Sequence, residues 1–142
     1  MTGAAELRLV LGNPDDPRVG ELLYQAIGGD RQRLITALAH YRDNATLMAA
    51  TDIAELLGVI GFRVYHDSLT VLHIATADHR RRAGVGRFML GELRSRWPDR
   101  GLVAETDAES VGFYSAVGFE VSTLGEKYPG VERFRVRLPP RA

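Results

Sequence analysis

Residues 74–90 have the sequence IATADHRRRAGVGRFML, and this stretch indicates the fold more strongly than any other part of the chain. It begins inside an apolar run, 69–77, which is typical of a central strand buried on both faces. The pattern Arg81-x-x-Gly84-x-Gly86 follows, and apolar residues then recur at helical spacing up to Pro98. The sequence therefore predicts a strand, a basic glycine-bearing loop and a helix in direct succession.

This loop has the features of an anion site. Glycines at the mouth of a helix let backbone N–H groups approach an anion closely, and the helix dipole favours negative charge there. Five basic side chains surround the loop in a chain of zero net charge: His79, Arg80, Arg81, Arg82 and Arg87. We expect a ligand that carries a pyrophosphate, although a tight turn with a solvated basic cluster would show the same residues.

The chain before the loop contains two predicted helices between predicted strands. An edge strand is expected at 6–11. Asp16 is placed to cap a helix that has Pro17 at its first position and ends at Gly28, and a second helix starts at Asp30. Three strand-like runs follow, at 46–50, 56–65 and 69–77.

The chain after the loop adds a strand, a helix and two closing strands. The strand is predicted at 102–105, and Thr106 with Glu109 forms a capping box for a helix that ends at Gly118. Gly112 costs about 1 kcal/mol in a helix interior, so we expect a neighbour close against it. The closing strands are 119–124 and 131–138. The order β-α-α-β-β-β-α-β-α-β-β predicts a mixed α/β fold.

Composition narrows the classes of function. The 142 residues contain no repeat or linker, which predicts one domain over 1–142. Zero net charge argues against phosphate-based nucleic-acid binding, and no apolar run approaches the length that spans a membrane. No signal peptide is recognisable, so we expect a cytoplasmic protein. The absence of cysteine excludes disulfides, thiolate metal sites and a cysteinyl acyl-enzyme, and no metal is predicted.

Two motifs together resemble the GNAT superfamily of acetyl-CoA-dependent N-acetyltransferases. Arg81-x-x-Gly84-x-Gly86 after a buried strand is similar to its acetyl-CoA-binding motif. Asp107-x-x-Ser110-x-x-Phe113-Tyr114-x-x-x-Gly118-Phe119 resembles its second signature, in which Asn and Ala usually stand at the first two of these positions. The resemblance extends over essentially the whole chain and matches small bacterial members.

The resemblance implies a mostly antiparallel central sheet flanked by helices, with a splay between the strands at 69–77 and 102–105. Acetyl-CoA would lie in the splay, its pantetheine pairing with the backbone of Ile74, Ala75 and Thr76 as an added strand. A backbone N–H of the central strand would serve as the oxyanion hole. The donor-binding residues implied further along the chain are Arg81, Arg82, Ala83, Gly84, Val85, Gly86, Asp107 and Phe113.

The resemblance assigns Tyr114 to the tyrosine that protonates the departing CoA sulfur, although a core aromatic would occupy the same helical position. A phenol with a pKa of roughly 10 and a thiol near 8.5 can exchange a proton. The general base is expected to be Glu105, which ends a strand where ligands commonly bind, or His73, which titrates near neutral pH. Three alternatives stay open. Glu105 could instead interact with the helix that follows it, through the helix dipole or a salt bridge, His73 could be a hydrogen-bonded core histidine, and the base could be an ordered water.

The acceptor is expected to be a small-molecule or peptide amine that attacks acetyl-CoA directly. Glu105, Glu126 and Glu132 hint at a cationic amine. A homodimer through exposed strand edges is common in this family.

A catalytically silent CoA-binding sensor or assembly module is the alternative function, but it could dispense with Tyr114. A Rossmann or P-loop protein is disfavoured because Gly84-x-Gly86 lacks the third glycine of the first and the Lys-Ser/Thr of the second.

Overall fold

The order of helices and strands is the predicted one. The computed structural model describes residues 6–53, 55–77 and 84–141. Within them lie β1 (Arg8–Leu11), α1 (Pro17–Ala26), α2 (Arg31–Asp43), β2 (Thr46–Asp52), β3 (Glu55–Val64), β4 (Ser68–Thr76), α3 (Val85–Arg96), β5 (Gly101–Asp107), α4 (Val111–Ala116), β6 (Glu120–Tyr128) and β7 (Val131–Leu138).

The strands form one seven-stranded sheet in the order β1-β2-β3-β4-β5-β7-β6. Five of its neighbouring pairs are antiparallel and only β4 and β5 are parallel. This is the mixed, mostly antiparallel sheet that the sequence resemblance implies. Strands β6 and β7 are joined by a tight hairpin with Gly130 in the left-handed region, at a φ of 79°.

The parallel pairing of β4 with β5 is short. Ser68, Leu69 and Thr70 pair with Gly101, Leu102 and Val103, and the ladder stops there. Beyond it β4 stays paired with β3 as far as Thr76, while β5 stays paired with β7 as far as Asp107. The two central strands therefore diverge, as predicted, and the second half of each has one unpaired edge.

Two hydrophobic clusters cover the two faces of the sheet. On one face α3 and α4 pack through Met89, Leu93 and Tyr114 against a cluster that includes Phe62. On the other face the helices α1 and α2 contribute Leu23, Ala37 and Tyr41, among others, to a smaller cluster. Helix α1 has Asp16 as its N-cap and α2 has Asp30, the two caps that the sequence predicts. No helix in the described part of the chain is both long and apolar enough to cross a membrane.

The burial of β4 differs from the prediction. Leu69 and Val71 are buried, but Leu72 is 36% exposed and the residues from His73 to Thr76 are only partly buried. The prediction of a strand buried on both faces is wrong for this half because β5 diverges from it. An apolar sequence alone does not distinguish a strand covered by its neighbours from one that lines a cleft.

The start of α4 also differs. Thr106 lies inside β5 and is buried, and the N-cap of α4 is Ser110, so the predicted capping box is wrong. The turn instead uses Asp107, whose Oδ1 accepts a hydrogen bond from the Ser110 N–H at 2.9 Å. Among the residues that the structure describes, nothing lies within 4 Å of a Cβ placed at Gly112, so the expected close neighbour of that glycine is absent from them.

Close packing against a glycine occurs instead at Gly61 in β3. A Cβ atom there would overlap the hydroxyl and ring of Tyr41, which crosses the strand from α2. We therefore expect Gly61→Ala to lower the free energy of unfolding by about 1–3 kcal/mol, as other overpacked cores do. Denaturant unfolding would measure it.

Gly91→Ala is the matched control, because Gly91 lies in α3 and none of the described residues comes within 4 Å of an added Cβ. This substitution should raise stability by about 0.5–1 kcal/mol through helix propensity. If Gly61→Ala were as stable as the unsubstituted protein, the close approach of Tyr41 to β3 would be refuted.

Candidate active site

The divergence of β4 from β5 opens a cleft of about 480 Å³, which we call the splay cleft. Its walls come from β4, β5, α3 and α4. The lining includes most of the predicted site residues that the structure describes, namely His73, Ile74, Ala75, Thr76, Gly86, Glu105, Asp107, Phe113 and Tyr114. A larger and more open depression of about 760 Å³ between α1 and the β2–β3 hairpin contains none of the predicted site residues.

The open edge of β4 presents backbone donors to this cleft. The N–H of Ala77 donates to the carbonyl of Leu57 at 2.8 Å, on the β3 side. Because backbone groups alternate along a strand, the N–H of Ala75 points to the same side. Those of Ile74 and Thr76 point to the opposite edge, where β5 has already diverged. The cleft thus offers two backbone donors in an extended segment.

The start of α3 forms one end of the cleft. Gly84 is its N-cap, with a φ of 81° in the left-handed region, and has no side-chain cap. A Cβ at Gly86 would lie 2.9 Å from Cζ of Phe113, so this glycine permits the helix to pack against the ring. Val85 is buried, and its side chain belongs to the core. The predicted residues Arg81, Arg82 and Ala83, with His79 and Arg80, lie outside the described residues.

Tyr114 is both a core residue and part of the cleft wall. Only 4% of it is exposed, and its ring meets those of Phe113 and Phe119 edge to face, with centroids 5.2 and 5.3 Å apart. Burial raises the pKa of the Tyr114 phenol to about 12. The phenol is therefore protonated throughout the neutral range and can act there only as a proton donor.

Glu105 lies on the side of β5 opposite to the buried residues Ala104 and Thr106. Glu105 lines the cleft, and its carboxylate is 3.6 Å from the guanidinium of Arg135, its cross-strand neighbour on β7. Both side chains are partly exposed, so this ion pair stabilises the fold little. Glu105 is thus a cleft residue with a salt-bridge partner, and this partner lies on β7 instead of on the helix that follows β5.

His73 lies at a bulge in β4. It is opposite Gly61, whereas Phe62 is opposite Val71, so Leu72 is the extra residue. The Nδ1 atom of His73 is 2.5 Å from the hydroxyl of Tyr41. Burial, followed by the charge of nearby His40, lowers the pKa of His73 below its usual value of 6.5. His73 is therefore largely neutral at pH 7, held by a core tyrosine, and at the same time in contact with the cleft.

Seven lining residues were absent from the predicted site: Ala26, Val71, Leu72, Thr106, Glu109, Ser110 and Arg133. Leu72 was assigned to the buried strand, Thr106 to a helix cap, and Arg133 to the closing strand without a role. Arg133 is opposite Asp107 in the β5–β7 ladder, so the alternation of charges along these two strands could have revealed it.

The acidic residues Glu126 and Glu132, expected near the mouth, do not line the described cleft. Glu126 accepts a hydrogen bond from the Gly130 N–H at 3.2 Å, and Glu132 accepts one from the Thr123 hydroxyl at 2.5 Å. Arg87 donates to the carbonyl of Ala116 in the neighbouring helix. Among residues 6–53, 55–77 and 84–141, no three His, Asp or Glu side chains are grouped to hold a metal ion.

Comparison with known proteins gives one family and one fold. The model of the acetyltransferase (GNAT) family matches residues 16–119. A search of the curated proteins found no match. Among solved structures, a protein from Desulfovibrio desulfuricans assigned to the GNAT acetyltransferases is 22% identical, with a TM-score of 0.77 over 96% of this chain and 99% of that one.

Two further solved structures are similar. The Bacillus subtilis acetyltransferase in complex with CoA is 16% identical, with a TM-score of 0.72 over 94% of this chain and 99% of that one. The ribosomal-protein-S18-alanine N-acetyltransferase of Escherichia coli is 18% identical, with a TM-score of 0.71 over 96% and 95% of the two chains. At these identities the likeness establishes the fold.

The lowered pKa of His73 predicts a specific loss of stability in acid. Below pH 6.5 the unfolded chain binds a proton at His73 more readily than the folded chain does, so the free energy of unfolding falls as the pH decreases. The fall continues until the pH is below the pKa of the folded state. In His73→Gln this part of the pH dependence should disappear, as measured by urea unfolding between pH 5 and about pH 7.5.

His66→Gln is the matched control, because His66 lies in the exposed β3–β4 turn. That variant should keep the pH dependence of the unsubstituted protein. An unchanged slope in His73→Gln would show that His73 titrates as it does in the unfolded chain.

Proposed function

Because the chain belongs to the acetyltransferase (GNAT) family, we propose that it transfers an acetyl group from acetyl-CoA directly to the nitrogen of an amine. The observation that supports this proposal best is the splay cleft, in which one wall holds open backbone donors and another holds Tyr114. The match to the family supports acetyl transfer in general. Nitrogen as the acceptor atom and the roles of the residues below are the proposal.

The donor is placed along the open edge of β4. Its pantetheine amide groups are complementary to the N–H groups of Ile74 and Thr76, so the donor would add to the sheet as a short strand. One of these N–H groups would also receive the negative charge that develops on the thioester oxygen. The pyrophosphate would lie at the N-terminus of α3, near Gly84 and Gly86, where the helix dipole favours an anion. A CoA complex of the Bacillus subtilis relative is consistent with this ligand.

The reaction requires two proton transfers that involve the protein. A base removes a proton from the acceptor ammonium, and the free amine then attacks the thioester carbonyl carbon. The new C–N bond forms, the nitrogen loses its second proton to solvent, the C–S bond breaks, and the electron pair leaves on sulfur. Tyr114 then protonates this thiolate, and the tyrosinate recovers a proton from solvent. The products are the amide, CoA thiol and the proton taken by the base.

Glu105 is the proposed base and His73 the alternative. Glu105 lines the cleft from β5, and its carboxylate can pair with the incoming ammonium before it removes the proton. His73 also touches the cleft, but its Nδ1 is already bonded to Tyr41. Nε2 of His73 could act as a base only if Nδ1 carries the ring proton and donates it to the tyrosine oxygen. Glu105 needs no such tautomer.

The phenol of Tyr114 is tested by its removal. Tyr114→Phe keeps the ring packing against Phe113 and Phe119 but leaves no proton donor for the thiolate. Turnover at saturating acetyl-CoA should fall by about 10²-fold, with little change in CoA affinity. CoA release in a panel of amines and isothermal titration with CoA measure the two quantities.

Tyr128→Phe serves as the control, since Tyr128 is 70% exposed in β6 and does not line the cleft. Full activity in Tyr114→Phe would remove this residue from the chemistry. If CoA binds but no amine is acetylated even by the unsubstituted protein, a silent CoA-binding module becomes the better account.

The base is identified by comparing Glu105→Gln with His73→Asn. Glu105→Gln removes basicity and charge at nearly constant shape, so most of the rate should be lost. His73→Asn should retain the rate. Steady-state rates between pH 5 and about pH 9 distinguish the variants. The reverse pattern would assign the base to His73, and two active variants would indicate a water.

A further inference from the structure

A second cavity adjoins the splay cleft on the face of the sheet that carries α2. Its volume is about 540 Å³, within the range of about 300–1,000 Å³ typical of ligand sites. We call it the α2 cavity. The residues that matter here are Ile27 after α1, Thr36, Ala37 and His40 on α2, and Leu72 and His73 on β4.

The bulge in β4 contributes to both cavities. Leu72 and His73 line both the splay cleft and the α2 cavity, because Leu72 has no partner on β3 and the strand bends there. A ligand in the α2 cavity would therefore lie against the same two residues that line the splay cleft. Leu72 is 36% exposed, although it is a large apolar side chain in a central strand. An apolar ligand group would cover it.

Several polar side chains around the α2 cavity already have partners. The Thr36 hydroxyl donates to the carbonyl of Gln32 at 3.1 Å, within α2. Nδ1 of His73 is bonded to Tyr41, and Nε2 of His40 accepts a hydrogen bond from Arg63. The surface left for a ligand combines the apolar side chains of Ile27, Ala37 and Leu72 with the side chain of Gln32.

The charged side chain in the lining of the cavity is Arg33, which also forms an ion pair of 3.9 Å with Asp30 at the start of α2. None of the described residues that line the cavity is Asp or Glu. A second ammonium group would meet Arg33 and no carboxylate of the lining. Charge complementarity therefore disfavours a diamine or polyamine in this cavity and favours an uncharged substituent.

We infer that the acceptor is a primary monoamine whose apolar alkyl or aryl substituent occupies the α2 cavity. Its nitrogen lies at the bulge, beside Leu72 and His73, and faces the splay cleft. This inference rests on the proposed acetyl transfer and adds the class of acceptor. The carboxylate of Glu105 interacts with the reacting ammonium in the splay cleft, whereas the α2 cavity disfavours a second ammonium group.

Two amines with the same six-carbon chain test the inference. 1,6-Diaminohexane has a second ammonium group where the chain of hexylamine ends in a methyl group, so their kcat/KM values compare a cationic end with an apolar end. We expect hexylamine to be preferred by about tenfold or more, after correction for the two reactive ends of the diamine. Equal rates or a preference for the diamine would overturn the inference while leaving acetyl transfer intact.

Paired variants on α2 locate the site. Thr36→Trp should fill the cavity and reduce kcat/KM for hexylamine about tenfold or more, whereas Ile35→Trp, at a 54% exposed neighbour outside the cavity, should not. Thr36→Glu adds a carboxylate to the cavity and should shift the preference several-fold toward the diamine. Thermal unfolding checks that the three variants fold. Equal effects of the two tryptophan substitutions would contradict the assignment.

Binding separates this inference from the proposed reaction. Hexylamine should bind to the CoA-saturated protein in saturation-transfer NMR, and Thr36→Trp should abolish the signal. Binding that depends on Thr36 without any CoA release would keep the cavity assignment and refute the transferase. Absence of hexylamine binding, or binding unaffected by Thr36→Trp, would refute the cavity assignment.

Discussion

The short parallel ladder between β4 and β5 is the constraint on which the site depends. Three residue pairs hold the strands together at Ser68–Thr70, and the sheet then divides. β3 directs β4 one way, and β7 directs β5 the other, through longer antiparallel ladders. Backbone polar groups that lose their partners in a protein interior must be satisfied by water or a ligand. The divergence therefore creates a cleft whose wall is already prepared to bind an extended chain.

Packing on both faces keeps the divergence in place. On one face α3 lies close to β3 because Gly58 has no side chain, and Val85 and Met89 occupy that space. Gly86 lets the Phe113 ring approach α3 in the same way. On the other face Tyr41 crosses Gly61 and reaches His73 at the bulge. The catalytic candidates are thus attached to the core, and their positions follow from how closely helices approach strands.

Much of this fold could be predicted from the sequence. Capping residues such as Asp16 and Asp30, and glycines after helices, are local signals of where helices begin and end. The predicted order of helices and strands is confirmed throughout. Thr106 was misassigned because a Thr-x-x-Glu pattern also fits a strand end followed by a turn, and the long ladder with β7 favours the strand. The exposure of Leu72 could not be predicted, because it results from a bulge and from the path of β5.

The site could likewise be predicted where local motifs form it, and not where distant parts of the chain meet. Most of the predicted residues that the structure describes do line the splay cleft, because the two motifs flank the same pair of diverging strands. The α2 cavity left no signal in the sequence. Its walls come from a helix end, a helix face and a strand bulge that are distant along the chain, and only the bulge brings Leu72 and His73 to it. Tertiary contacts of this kind have no periodic pattern.

The central claim is that acetyl-CoA adds to the open edge of β4, and amide hydrogen exchange at this edge tests it most directly. The N–H of Ala75 faces β3, whereas those of Ile74 and Thr76 face the cleft. NMR exchange rates in the free protein should therefore be fast at Ile74 and Thr76 and slow at Ala75. Acetyl-CoA should slow exchange at Ile74 and Thr76 specifically. If acetyl-CoA binds and these two amides continue to exchange rapidly, the donor does not pair with β4 and the account is wrong.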